Sequence, residues 1–516
     1  MKPALSRIPY YLLPSLGAIL WIGIFIAVVG MGPRLMNVDG DLGRHLTIGR
    51  YILDSGQIPT RDLFSHTLYG QSLTPHEWLS QVIFALAERW LGLDGVILVC
   101  GLVIATSFWL VFRLARSQSH SLLVAAVVAI IAMAASSLHW LSRPHIFTFL
   151  MLALWMNALQ ELRDGRLRRW WFMPLIMVLW VNLHGAFIAG FVTWGLYALG
   201  LAWDHLLKRS PQGVSLPGGF WRAFLMGGAG SFLVSFINPS GAGIWATSFG
   251  FIGNRYLVSH TAEYMAPNFQ DSSTWPFLVM IGLVLLLFGL RSKPVEAAQV
   301  LPVAGWTIMG LYSVRNVPLF AIVAAPVLAA ALSDAFQANR QSFAWLERLC
   351  QMDWRLNRTD QSLRGFLWPA LIFAFVWAGY ASGAKLDLQQ QGNAFDERVF
   401  PVQAVDYLKA NPQPGNMFNY FTWGGYLLYR LWPEDRVFID GQTDFYGERL
   451  TRQYEQALTL SPGWEKVLDQ YHIQWVLVPP EEPLAETLKN EPGWKVVYED
   501  ETAILITSSN PAQTSR

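Results

Sequence analysis

The stretch Asp39-Gly40-Asp41-Leu42-Gly43-Arg44-His45 sets two carboxylates two positions apart, followed by a guanidinium and an imidazole. Carboxylates this close repel, so one keeps its proton to higher pH unless a cation intervenes. A carboxylate poised at a membrane surface can accept a proton from an incoming hydroxyl or amine. Asp39 and Asp41 can also hold a divalent cation, Mg2+ or Mn2+, through oxygen. The plain alternative is a solvated turn in which Asp41 caps a helix starting at Leu42. His76-Glu77-Trp78 offers a third carboxylate. Glu77 can serve as acid or base beside His76, or the three can simply anchor an interfacial helix.

Cations appear where they are least expected. Arg143 and His145 flank Pro144 at the end of an apolar block, and Arg315-Asn316 lies at the end of another. A guanidinium presents a two-pronged fork for phosphate; the alternative is snorkelling to lipid headgroups. His184, in Asn182-Leu183-His184-Gly185, separates two short apolar blocks. It can act as a ligand or be hydrogen-bonded in packing. Glu263 lies in a long polar connection, and Asn238-Pro239-Ser240-Gly241 reads as a turn. Near the C-terminus, Phe421-Thr422-Trp423-Gly424-Gly425-Tyr426 and Phe438-Ile439-Asp440-Gly441-Gln442-Thr443-Asp444 combine aromatics, glycines and acids. Trp423 and Tyr426 can form a flat binding surface, since glycine lets backbone approach a ligand, with Asp440 and Asp444 at the end of a strand. Otherwise these are turns, with Trp423 packing one unit onto another.

The elements that must position these groups are membrane helices. Of 516 residues, 53% are hydrophobic and 14% charged, against about 25% charged in a soluble domain. The net charge of +1 gives no basic field for nucleic acid. About eleven spans are expected, at roughly 10–31, 93–112, 121–138, 146–162, 171–183, 186–204, 221–237, 276–290, 298–313, 317–334 and 365–382. The first block is long enough to span and is not read as a cleaved leader. Cys100, in an apolar block, and Cys350, in a basic loop, are not placed to pair. One set of connections carries Arg113/Arg116, Arg163/Arg166/Arg168/Arg169, Lys208/Arg209/Arg222, Arg291/Lys293 and Arg340 to Arg364, with Lys2 and Arg7 on the same side. The positive-inside rule puts that set in the cytoplasm. The chemistry-bearing residues then share the outer face of a multi-pass inner membrane protein, and the C-terminus lies outside.

Residues 1–382 thus read as a membrane domain. Its first outer connection, 32–92, carries helical periodicity over Leu42 to Leu53 and an amphipathic stretch over Glu77 to Trp90. Its other long outer connection, 241–275, has a Gly, Ser and Asn content that predicts mobility. Residues 383–516 read as an outer α/β domain with a partly parallel sheet, including a strand over Arg436 to Asp440. It contains no dinucleotide or phosphate-loop motif and no metal-finger spacing.

These features together resemble the GT-C superfamily of membrane glycosyltransferases, which use polyprenyl-phosphate-linked sugars. Asp39-Gly40-Asp41 is similar to the acidic motif of that superfamily's first loop. Thr422-Trp423-Gly424-Gly425-Tyr426 with Arg436 to Asp444 is similar to a diverged Trp-Trp-Asp-Tyr-Gly region of the oligosaccharyltransferase catalytic subunit. Glu263 is similar in placement to the acidic residue of that enzyme's mobile loop. Ser142-Arg143-Pro144-His145, Asn182-Leu183-His184-Gly185, Arg315-Asn316-Val317-Pro318 and Trp423-Gly424-Gly425-Tyr426 also resemble blocks shared by a set of bacterial membrane proteins. One departure is plain: Arg143 and His145 stand where a metal-dependent oligosaccharyltransferase presents acids.

The resemblance implies transfer of a sugar to an acceptor on the outer face. In it Arg143 and Arg315, with His145 and Asn316, hold the donor phosphate, and Asp39 or Asp41 deprotonates the acceptor. The Glu263 loop closes over the site, and the outer domain helps present the acceptor. Two other readings compete: a non-catalytic subunit docking a partner complex through the outer domain, and a lipid-linked glycan transporter. A transporter calls for polar groups at mid-membrane depth and often inverted repeats, and the sequence shows few of the first and none of the second.

Overall fold

The structure, a computed structural model, describes residues 12–167, 169–206, 216–289, 296–363, 365 and 367–509. Lys2, Arg7, Arg168, Lys208, Arg209, Arg291, Lys293 and Arg364 lie outside the described residues.

Among the described residues, every expected span contains a helix. α1 (Leu16–Gly30) leads through α2 (Gly32–Asn37) to two helices of mixed polarity, α3 (Asp41–Ser55) and α4 (Trp78–Leu91). There follow α5 (Leu93–Ser119), α6 (Leu122–Ser136), α7 (His145–Arg163), α8 (Phe172–Leu183), α9 (Ile188–Leu206) and α10 (Phe220–Val234). The 241–275 connection is not coil throughout: it contains α11 (Gly243–Gly253) and α12 (Arg255–His260). The bundle closes with α13 (Trp275–Gly289), α14 (Ala297–Tyr312), α15 (Val317–Asn339), α16 (Ala344–Asp360) and α17 (Leu367–Ala381). Five segments are long and apolar enough to cross a membrane: Leu93–Ser119, Leu122–His139, Gly185–Leu206, Ser272–Gly289 and Val314–Asn339. Four shorter apolar helices, α1, α8, α10 and α17, join them. α7 packs beside α5, and α14 packs between α9 and α15. Two buried indoles tie helices together through hydrogen bonds: Trp180 Nε1 donates to Thr148 Oγ1 and Trp306 Nε1 to Thr193 Oγ1, both at 3.0 Å. The chain is a multi-pass membrane protein.

The two ends of the bundle differ. At one, α16 is pinned by Arg116 to Asp360 (2.6 Å) and by Asp353 accepting from Leu123 N (2.8 Å). At the other sits a small α/β unit. It comprises α18 (Val402–Ala410), β1 (Asn416–Asn419), α19 (Gly424–Leu431), α20 (Thr443–Leu458), α21 (Trp464–Gln470), β2 (Ile473–Val478), α22 (Pro483–Asn490), β3 (Trp494–Glu499) and β4 (Ile504–Ser508). The sheet order is β1-β2-β4-β3, with β1 parallel to β2 and the other pairs antiparallel.

The expected strand over Arg436 to Asp440 does not join the sheet. Its backbone groups are satisfied elsewhere: Val437 exchanges bonds with Phe64 and His66, and Phe438 N donates to the Asn419 side chain at 2.8 Å. Only an isolated bridge, Ser65 to Val437, remains. The two glycine-rich motifs meet each other. A Cβ on Gly40 would lie 1.7 Å from the Thr422 carbonyl oxygen, and one on Gly43 would lie 2.2 Å from that of Gly425. α19 therefore presses its backbone onto α3, which only glycine permits. Trp423 (3% exposed) and Tyr426 (0%) lie in the shared core with Ile48, Ile52 and Phe64. They are packing residues here and form no open binding surface.

Candidate active site

A cavity of about 1020 Å³ opens where the bundle meets the α/β unit. Asp39 reaches it from the break between α2 and α3, where its Oδ1 accepts from Asp41 N at 3.0 Å. Gly40 takes the cap position of α3, and the Asp41 side chain faces Arg143. Arg143 comes from the connection between α6 and α7, which is fixed by Ser142 N donating to Leu35 O at 2.9 Å. Its guanidinium lies 2.5 Å from Asp41 and 3.2 Å from Asp39. Burial raises the pKa of Asp39; Arg143 opposes that rise, Asp41 adds to it, and the carboxyl stays above its ordinary value. This is the tuning a proton acceptor needs.

Glu263 stands across the cavity on a short turn of 3-10 helix, Ala262–Tyr264. Its carboxylate bridges two guanidiniums, one oxygen 2.9 Å from Arg315 and the other 3.4 Å from Arg143. Burial pushes the Glu263 carboxyl up, but Arg315 and Arg143 outweigh it and hold it at about 2. The backbone is tied as well: Val314 N donates to Met265 O (2.9 Å), and Ser313 Oγ to Glu263 O (3.0 Å). Arg315 also donates to Tyr264 Oη at 2.5 Å and to His184 Nε2 at 3.3 Å. His184 is in turn held by Thr148 (2.9 Å).

Behind Asp41, Arg44 is 4% exposed and links three elements. It lies 3.6 Å from Glu77 and 3.7 Å from Asp440, and it donates to Gln442 at 2.9 Å. Burial pushes Asp440 up to about 6 despite Arg44. Glu77 also faces His184 (3.6 Å) and His76 (3.9 Å), and His76 faces Asp444 (3.9 Å).

Of the residues singled out above, Asp39, Asp41, His76, Glu77, Arg143, His184, Glu263, Arg315, Asn316 and Asp444 line this cavity. Asn316 donates to Met309 O at 3.1 Å and so caps a helix end as well. His145 lies behind the wall, bonded to His139 O at 2.8 Å, and Asp440 is buried under Arg44. Arg44, His139 and Tyr264 carried no assignment. Arg44 follows Asp41 by three positions, the spacing of one helix face, and that was the available signal. Among the described residues no three His, Cys, Asp or Glu side chains group to hold a metal ion. Asp39 and Asp41 each turn one oxygen to Arg143, whose positive charge between them disfavours a divalent cation there.

No protein-family model matches the sequence, nor does any curated protein. Solved structures do match. The archaeal oligosaccharyltransferase AglB from Archaeoglobus fulgidus, in complex with an inhibitory peptide and a dolichol-phosphate, matches with a TM-score of 0.56 at 11% identity, over 96% of this chain and 74% of that one. The Archaeoglobus fulgidus oligosaccharyltransferase in its apo form matches with a TM-score of 0.55 at 11% identity, over 90% and 69%. ArnT from Cupriavidus metallidurans, bound to undecaprenyl phosphate, matches with a TM-score of 0.49 at 13% identity, over 95% and 97%. This chain shares its fold with the two archaeal oligosaccharyltransferase structures.

Proposed function

We propose that the chain is a membrane glycosyltransferase. It moves a sugar from a polyprenyl-phosphate-linked donor to an acceptor at the membrane face that carries the α/β unit. The observation behind this reading is the Glu263 carboxylate seated between Arg143 and Arg315, beside Asp39. The gap between the guanidiniums already accommodates one anion, and a donor phosphate can take that place. The dolichol-phosphate in the AglB complex accords with such a donor. Residues 1–382 are then the membrane domain and 383–516 the outer domain. The cation-rich loops around Arg113, Arg163 and Arg355 at the opposite end support an outer, periplasmic placement of the site.

In this reading Asp39 takes the proton of the acceptor hydroxyl, and Asp41 orients Arg143. The acceptor oxygen bonds to the anomeric carbon as the bond from that carbon to the phosphate oxygen breaks. The electron pair of that bond stays on the phosphate, whose growing charge Arg143 and Arg315 stabilise. Glu263, displaced by the phosphate, moves with the 241–275 connection to close the site. Arg44 keeps Glu77 and the α/β unit in register. Asp39→Asn/Asp41→Asn is expected to abolish release of polyprenyl phosphate from donor supplied in native membrane lipid, with the melting temperature kept. Full turnover in that double variant sinks the assignment.

A further inference from the structure

The cavity has two ends of different chemistry. Between the spans its wall is aliphatic, with Ile188, Val192, Met309 and Leu319. Against the α/β unit it is aromatic and acidic, with Tyr420, Phe421, Thr451, Asp444 and Glu455. We infer that this second end is a saccharide subsite and that the acceptor is a glycan; the inference rests on the transferase reading. A pyranose ring offers an apolar C–H face and an edge of hydroxyl donors. Aromatic rings match the first, and carboxylates, which only accept hydrogen bonds, match the second.

The aromatic wall is held in place before any ligand arrives. Phe421 N donates to Tyr454 Oη at 2.8 Å, Tyr454 stacks on Phe418 at 5.4 Å, and Tyr420 packs on Trp423 at 5.3 Å. A fixed platform loses little freedom on binding. The wall also abuts the proton acceptors. A Cβ on Gly441 would lie 1.7 Å from Asp41 Oδ1, so the segment leading to Asp444 touches the Asp39–Asp41 pair. The subsite at Tyr420 and Phe421 also adjoins those aspartates through Thr422, whose carbonyl oxygen a Cβ on Gly40 would meet at 1.7 Å. A peptide reader built on Trp423 and Tyr426 is not available, because both rings are buried in the core.

Saturation-transfer NMR on the full chain in detergent tests this, with cellobiose, maltose and the N-acetylglucosamine disaccharide as probes, and a Ser/Thr/Asn-containing heptapeptide as comparator. The expected result is transfer to at least one disaccharide, reduced fivefold or more in Tyr420→Ala/Phe421→Ala and within twofold of wild type in Met309→Ala, at the aliphatic end of the cavity. If the aromatic variant does not fold, Glu455→Gln on the rim is expected to give a comparable loss. Transfer to none of the disaccharides, or to the peptide alone, overturns the inference. Equal loss in Met309→Ala also overturns it, because the sugar would then not be held by the aromatic end. Failure of the donor reading shows separately, in lipid retention, which these probes do not touch.

Discussion

Glu263 is the residue on which the proposed chemistry turns. Two guanidiniums hold it ionised at about 2, so it neither donates nor accepts protons in the working pH range and serves as a counter-ion. In the proposed reaction a donor phosphate must compete with it for Arg143 and Arg315. Glu263→Gln removes the competing charge and is expected to lower the donor KM roughly three- to tenfold, on the order of 1 kcal/mol. An unchanged KM with a collapsed kcat would make Glu263 a participant in the chemical step instead. Asp440 gives a second titration. Its folded value of about 6 lies above the ordinary 3.8, so folding favours the protonated form. The stability this contributes is complete below 3.8 and is lost as pH rises through 6, roughly 3 kcal/mol in all. Thermal melts of wild type from pH 4 to 7 should show this fall, and Asp440→Asn should flatten it. A wild-type curve with no slope in that window contradicts the assignment.

The element that matters most is the contact of α3 with α19. Each motif is ordinary by itself: Asp39-Gly40-Asp41 opens a helix, and Trp423-Gly424-Gly425 opens another. The paired glycines of the second motif read as a place for a ligand to approach, yet Gly425 packs on the Gly40 carbonyl and Gly424 on that of Ile439. Sequence could not reveal the first contact, because its partners lie almost four hundred positions apart. Gly40→Ala forces a methyl against the Thr422 carbonyl, at an expected cost of about 1–3 kcal/mol. The variant should melt earlier and expose the α/β unit to protease. An unaltered melt would mean that the interface tolerates separation. The same long-range closure explains why Arg436 to Asp440 reads as a strand and is not one. Its apolar run Val437-Phe438-Ile439 is real, but Asn419 and the Phe64–His66 backbone take its hydrogen bonds first.

For the whole molecule, the spans and the α/β unit were legible because both leave strong periodic signals: long apolar blocks for one, short alternating elements for the other. The site was legible as a set of polar residues on one side of the membrane, because cations and acids at span ends are costly enough to stand out. What the pattern could not supply was which of them meet. Arg143 pairs with Asp41, Arg315 with Glu263, and Arg44 holds three elements, while His145 and Trp423 turn away from the cavity. The central claim is that Arg143 and Arg315 form the phosphate seat of a lipid-linked sugar. Mass spectrometry of lipids retained by the purified protein tests it most directly, comparing wild type with Arg143→Ala/Arg315→Ala. A polyprenyl-phosphate sugar retained by wild type and lost from the variant is the predicted result. Bulk phospholipid alone in both, or the same polyprenyl lipid in both, would contradict it.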